Sequence, residues 1–122
     1  MHRIFVYGTL RRGEYAHDLI SRSSQSQFLG EHKTSHKYHL YDQGSFPGIA
    51  INETMEGGVF GEVFEVDDAC LRDLDRYEGV AEGLFKRAVI ELEDGSEALA
   101  YLIVRPNYSG KVVSGRWNRG SA

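Results

Sequence analysis

Ile4-Phe5-Val6-Tyr7-Gly8-Thr9-Leu10 is the stretch around which the rest of the chain can be read. Its four consecutive apolar or aromatic residues describe a strand buried on both faces, because a strand with one face in water alternates instead. Such a strand belongs in the middle of a sheet. Gly8 closes the run: glycine accepts backbone angles that other residues avoid, so the chain is expected to turn there and leave several backbone N–H groups unpaired. A turn of that kind can hold an anion or a polarised carbonyl. Taken alone, the same segment also fits a glycine needed only for the geometry of a turn.

Around this strand, 122 residues make one domain, large enough to take about two-thirds of its unfolded surface out of water. The domain is expected over residues 1–117, with a tail over 118–122. Hydrophobic residues are 41% and charged residues 26%, ordinary for a globular chain, and no apolar run approaches the ~20 residues of a membrane span. A formal net charge of −4 argues against nucleic acid or an anionic membrane as the main partner, since both demand a basic surface. The lone cysteine, Cys70, precludes an internal disulfide, and the chain enters its first strand without a signal peptide, so a cytoplasmic location is expected. Fourteen glycines against two prolines indicate many turns and a sheet-rich domain. No residue pattern asks for more than a monomer or a weak homodimer.

Downstream of the turn, Arg11 and Arg12 read either as solvated charges or as positive charge beside the Gly8 turn. Glu14 to Ser24 carries Tyr15, Ala16, Leu19 and Ile20 at helical spacing, which predicts a short helix. Strands follow at Phe28-Leu29-Gly30 and Tyr38-His39-Leu40-Tyr41, the second ending in the turn cluster Asp42-Gln43-Gly44-Ser45. Phe46-Pro47-Gly48-Ile49 is either a rigid binding loop with an aromatic tip or a plain turn before the next strand. Val59 to Val66 alternates as a strand, and the glycines at 57, 58 and 61 suggest a bulge or a close backbone approach. Leu84 to Leu92 and Ala98 to Val104, joined through Asp94-Gly95, form a hairpin, and Trp117 anchors the polar, glycine-rich end.

The second informative stretch is Leu74-Asp75-Arg76-Tyr77-Glu78-Gly79. Asp67 is placed to cap a helix running to about Tyr77, with Asp68 adding favourable charge to its first turn. At ~100° per residue, Cys70, Leu71, Leu74 and Tyr77 share one face, and Arg72, Asp73 and Arg76 the opposite one. Glu78, seven residues after Leu71 and four after Leu74, falls on the apolar face. The helix dipole and desolvation both raise the pKa of a carboxylate so placed, which suits proton transfer near neutral pH. If the helix has already ended at Tyr77, Glu78 swings to solvent instead.

His32, His36 and His39 lie close in sequence, but strand geometry sends His32 and His36 to one side and His39 to the other, so no metal site is expected. Cys70 reads as a small core hydrophobe. There is no P-loop, dinucleotide fingerprint, Gly-x-Ser-x-Gly elbow or internal repeat.

Tyr7-Gly8-Thr9-Leu10, Leu74-Asp75-Arg76-Tyr77-Glu78-Gly79 and Phe85-Lys86-Arg87, in this order, resemble the γ-glutamylcyclotransferase-like family, in particular its small bacterial YtfP-like and AIG2-like members. The likeness runs from Arg3 to about Tyr101, and Ser114-Gly115-Arg116-Trp117 is similar to the closing segment of these proteins. The resemblance implies an α+β fold, a small mixed barrel of about five to seven strands with two short helices. It implies a cofactor-free enzyme that cyclises the γ-glutamyl group of a γ-glutamyl amine or peptide to 5-oxoproline and releases the amine. Glu78 would be the acid/base, and Tyr7, Gly8, Thr9, Leu10, Pro47, Gly48, Phe85 and Tyr101 would contact the substrate. Phe85 stands where relatives commonly carry Tyr, so any hydrogen bond from that hydroxyl is missing. Two other readings compete: a non-catalytic module holding a small ligand in the same pocket, and an interaction protein in which Glu78 is only a helix-end residue. A buried Glu78 beside Tyr7 to Leu10 favours the first two readings, and a solvent-facing one the third.

Overall fold

Strand β1 (His2–Val6) lies between two partners in the computed structural model, which describes residues 1–53, 56–112 and 114–118. It runs antiparallel to β5 (Phe60–Val66), from His2 opposite Val66 to Val6 opposite Glu62, and parallel to β7 (Glu97–Ile103), with Ile4 beside Leu99. Its unbroken apolar run has a direct cause. Ile4 and Val6 enter one core with Leu71 and Leu74, while Phe5 and Tyr7 enter a second with Leu40, Ile49 and Ile90. Alternate side chains of one strand thus feed two cores, and neither face meets water.

The remaining strands are β2 (Gln27–Lys33) against β5, the hairpin β3 (Tyr38–Asp42) and β4 (Pro47–Ile51), and β6 (Phe85–Glu91) against β7. Seven strands form one mixed sheet in the order β2-β5-β1-β7-β4-β3, with β6 attached to β7. The ladder is open rather than a closed barrel. A single bridge between Thr34 and Leu92 brings the end of β2 to the end of β6, held by Glu93 N–H to the Lys33 carbonyl at 2.8 Å.

The sheet forks at β7. Because β6 occupies one edge of β7 along its length, β1 and β4 share the other, β1 beside Leu99 and β4 beside Leu102. Where they part, the buried Tyr7 hydroxyl donates to the Tyr101 carbonyl at 2.7 Å and accepts from the Ile49 N–H at 3.3 Å. It thereby satisfies ladder groups that the fork leaves without a strand partner.

Helix α2 (Asp68–Tyr77) follows the expected bounds, with the Asp67 carboxylate accepting from the Cys70 N–H at 2.8 Å. Its buried face, Cys70, Leu71 and Leu74, packs on the Ile4 core. The helix expected from Glu14 to Ser24 shrinks to α1 (Asp18–Ser21). Its first half folds back onto the Gly8 turn instead: the Ala16 N–H donates to the Thr9 carbonyl at 3.1 Å, and His17 Nδ1 bonds the Leu10 carbonyl at 2.9 Å. Phe46 precedes β4, so Pro47-Gly48-Ile49 is strand rather than loop. The bulge lies in β2 between Phe28 and Gly30, not in β5. At Gly61 in β5 the glycine serves a close approach, since a Cβ there would strike the Val6 carbonyl and the Phe5 ring. His36 sits in a turn rather than on a strand with His32. Trp117 is buried and anchors the closing segment, while residues 119–122 of the expected tail lie outside the described residues.

Candidate active site

The end of α2 determines where Glu78 points. Gly79 takes a left-handed conformation (φ +66°), its N–H donates to the Arg76 carbonyl at 3.2 Å, and the Val80 N–H donates to the Asp75 carbonyl at 3.1 Å. These two bonds form the glycine-dependent C-terminal cap that satisfies the last carbonyls of a helix. Glu78 itself keeps near-helical angles (φ −82°, ψ −2°), with its N–H on the Leu74 carbonyl at 2.9 Å. So although the helix ends at Tyr77, Glu78 stays on the inward face and lines a cavity of about 220 Å³.

Burial pushes the Glu78 carboxyl up to about 7, against 4.5 for an ordinary glutamate. A helix C-terminus adds in the same direction. Four tyrosines line the cavity with it, Tyr7, Tyr15, Tyr77 and Tyr101, and the hydroxyls of Tyr7, Tyr77 and Tyr101 are engaged elsewhere. Tyr7 donates to the Tyr101 carbonyl, Tyr77 shares a 2.8 Å bond with Thr9 Oγ1 and donates to the Tyr15 hydroxyl at 3.3 Å, and Tyr101 donates to Asp75 Oδ1 at 2.7 Å. All three phenols are held above their ordinary pKa, chiefly by burial and further by the negative charge of Glu78; Tyr77 is pushed up to about 12. A carboxylate receiving none of these hydroxyl protons remains basic enough to take a proton near neutral pH and return it.

The turn Gly8-Thr9-Leu10 lines the same cavity as Glu78. Its carbonyls are all occupied: Gly8 by the Arg11 N–H (3.1 Å) and Nε (3.1 Å), Thr9 by the Ala16 N–H, and Leu10 by the His17 ring. A trans peptide points its N–H opposite to its carbonyl, so anchoring the Gly8 and Thr9 carbonyls turns the N–H groups of Thr9 and Leu10 away from the body of the loop. Among the described residues no hydrogen bond uses the N–H of Gly8, Thr9 or Leu10. Such a row of free donors can receive a carboxylate or a developing oxyanion.

The reason for glycine at position 8 differs from the expected one. Its φ is not positive, so the left-handed region does not demand a glycine there. Pro47 excludes a side chain: a Cβ at Gly8 would lie 2.5 Å from the Pro47 Cγ. Tyr7, Gly8, Thr9, Leu10, Pro47, Phe85 and Tyr101 all line the cavity with Glu78, whereas Gly48 does not. Gly48 instead packs against Ile103, where a Cβ would come within 2.9 Å.

Arg11 and Arg12 neither line the cavity nor stand free in solvent. Arg11 braces the turn by reaching the Gly8 carbonyl and, at 2.6 Å, the Trp117 carbonyl. Arg12 pairs with the buried Glu62 through its backbone N–H (2.8 Å) and Nε (3.2 Å), and lies 3.6 Å over the Phe28 ring. Tyr15, Tyr77 and Leu84 line the cavity although the sequence did not single them out as site residues. Tyr77 had the best signal, standing next to Glu78 at the end of an apolar helix face. Asp75 was also missed; its second oxygen takes Arg87 Nη1 at 2.6 Å. Among the described residues no group of three or more His, Cys, Asp or Glu side chains is placed to hold a metal ion.

Comparison with known proteins identifies the family of the chain. The family described as "Gamma-glutamyl cyclotransferase, AIG2-like" matches residues 4–119. A "Putative gamma-glutamylcyclotransferase" of Vibrio cholerae is 36% identical over 118 residues, covering 95% of each chain. An AIG2-like protein from Mus musculus superposes with a TM-score of 0.80 at 27% identity, over 97% of this chain and 88% of its own. The solution structure of protein ytfP from Escherichia coli gives a TM-score of 0.69 at 32% identity, over 98% and 99%. With the match spanning both the Gly8 turn and the Glu78 cap, the chain belongs to the gamma-glutamyl cyclotransferase, AIG2-like family.

Proposed function

We propose that the protein cyclises the γ-glutamyl group of a γ-glutamyl amine or γ-glutamyl peptide to 5-oxoproline and frees the amine. The observation that carries this reading is a carboxylate of raised pKa sharing one cavity with a turn whose three successive N–H groups take no partner among the described residues. The α-amino nitrogen of the substrate attacks its own γ-carbonyl carbon to close a five-membered lactam. Glu78 takes the proton that nitrogen must lose and delivers it to the departing nitrogen as the old C–N bond breaks, so the enzyme ends as it began. The N–H groups of Gly8, Thr9 and Leu10 orient the glutamyl part and stabilise the oxyanion, while the intramolecular geometry supplies proximity.

The direct test is 5-oxoproline release from γ-glutamyl amines and γ-glutamyl peptides, with the freed amine measured in parallel. Equal amounts of both products support the reading; binding without release from any of them would overturn it in favour of a binding module. Because the base must be ionised and Glu78 is lifted to about 7, kcat/KM should fall about tenfold per pH unit below ~7 and level off above it. An acid limb near 4.5 instead would mean that the working carboxylate is not Glu78.

Asp75 supports the site from outside it. Asp75→Asn weakens the acceptor that fixes the Tyr101 hydroxyl and leaves Arg87 without its 2.6 Å partner. The Tyr101 hydroxyl then becomes free to donate to Glu78, which lowers that group's pKa. The expected result is a drop in kcat/KM of roughly tenfold with the acid limb moved to lower pH. An unmoved limb would leave Asp75 with a purely structural role.

A further inference from the structure

Among the described residues, the wall of the Glu78 cavity carries one charge, that of Glu78 itself; the other lining residues are aromatic, aliphatic, Gly8 or Thr9. Three of them are also unusually exposed for their type: Tyr15 at 65%, Leu84 at 46% and Tyr77 at 40%. Single exposed apolar residues are common on any surface, but three gathered on one cavity mark a surface that something apolar covers. Behind them Phe46 lies 6.0 Å from the Phe85 ring, extending the apolar wall inward. Three cations near the cavity are engaged elsewhere: Arg11 on the Gly8 and Trp117 carbonyls, Arg12 on Glu62 and Arg87 on Asp75.

We infer that the mouth formed by Tyr15, Leu84 and Tyr77 is the leaving-group subsite, and that it selects γ-glutamyl amines whose amine carries an uncharged apolar group. This rests on the cyclotransfer reading above. The glutamyl part brings an ammonium and a carboxylate, and the polar groups able to meet them are the free N–H groups of residues 8–10 and Glu78 itself. The amine side of the scissile bond is then left with the apolar mouth. A leaving group with its own carboxylate would be desolvated there without a cation, close to the ionised Glu78, and both effects oppose binding. An alkyl group removes the exposed Tyr15 and Leu84 surfaces from water as well as its own.

The experiment compares kcat/KM for γ-glutamyl-methylamide, γ-glutamyl-hexylamide and γ-glutamyl-(5-carboxypentyl)amide, whose leaving amines are of similar basicity, so that differences report binding rather than leaving-group chemistry. The hexylamide should exceed the methylamide by roughly 10- to 100-fold, and the terminal carboxylate should cancel most of that gain. Tyr15→Ala and Leu84→Ala, two exposed positions, should each reduce the hexyl-to-methyl ratio severalfold, with folding verified by thermal melts. Turnover of the methylamide with no hexyl advantage, a carboxypentyl substrate as good as the hexyl one, or an unchanged ratio in both variants would overturn the inference while leaving cyclotransfer intact. Release from none of the three, with γ-glutamyl peptides still cleaved, would overturn this inference alone; release from neither the amides nor the peptides would overturn cyclotransfer as well.

Discussion

Replacing Glu78 by Gln is expected to lower kcat/KM for 5-oxoproline release by about 1,000-fold, within the usual worth of a positioned acid/base, while the protein becomes more stable above neutral pH. The amide keeps the size of the side chain and its place at the helix cap, where the backbone bond to Leu74 does not involve the carboxyl. What it removes is the capacity to accept and return a proton. A small loss in kcat/KM would mean that another group carries the proton.

The stability change has a definite sign. Glu78 titrates at about 7 in the folded chain against 4.5 ordinarily, so folding favours its protonated form. The stability this contributes is complete below pH ~4.5 and is lost as pH rises through ~7, where an ionised carboxylate must be kept in the cavity. Glutamine never ionises. The stability difference between Glu78→Gln and the native chain should therefore grow in the variant's favour from pH 5 to pH 8. Full enclosure would set a ceiling of about 3 kcal/mol; because the residue is only half-buried, about 1–2 kcal/mol is expected. Urea unfolding at the two pH values measures it, and a pH-independent difference would show that Glu78 is not desolvated. If Glu78 is the acid/base, such a loss of stability is the trade expected of a buried catalytic carboxylate.

How much of this was legible in advance follows from how local each cause is. The β1 run, the Asp67 cap and the Asp94-Gly95 hairpin are set by neighbouring residues, and each appears where the spacing places it. Glu78 was legible as far as its face, but whether it stayed inward turned on the Gly79 cap, which holds the last turn together beyond the helix itself. Tertiary demands overrode the rest. Helical spacing over Glu14 to Ser24 lost to the hydrogen bonds that Ala16 and His17 make back to the Gly8 turn, because those carbonyls need partners. Arg11 and Arg12 looked like free charge because their acceptors, the Trp117 carbonyl and Glu62, are 106 and 50 positions away. The apolar mouth was invisible for the same reason, since Tyr15, Tyr77 and Leu84 meet only once β1, α2 and the segment before β6 are assembled.

Gly8→Ala carries the second large effect, and its cause can be isolated by a second substitution. The φ of position 8 is not positive, so left-handed backbone strain does not enter; the added methyl instead meets Pro47, 2.5 Å from Cγ and 3.1 Å from Cδ. Either the turn or the start of β4 has to move. Overpacking of this kind costs about 1–3 kcal/mol of stability, and displacing the N–H groups of Thr9 and Leu10 by about 1 Å should reduce kcat/KM by about 100-fold. Pro47→Ala removes both ring atoms in that contact and keeps only Cβ, which would sit 4.0 Å away, at ordinary contact distance. The double variant Gly8→Ala/Pro47→Ala should therefore recover most of the activity lost by Gly8→Ala alone, a coupling that two independent lesions would not show. If the double variant were no better than Gly8→Ala, the glycine would be required by something other than Pro47. The natural alternative would be the substrate itself, approaching the turn where a methyl group would intrude.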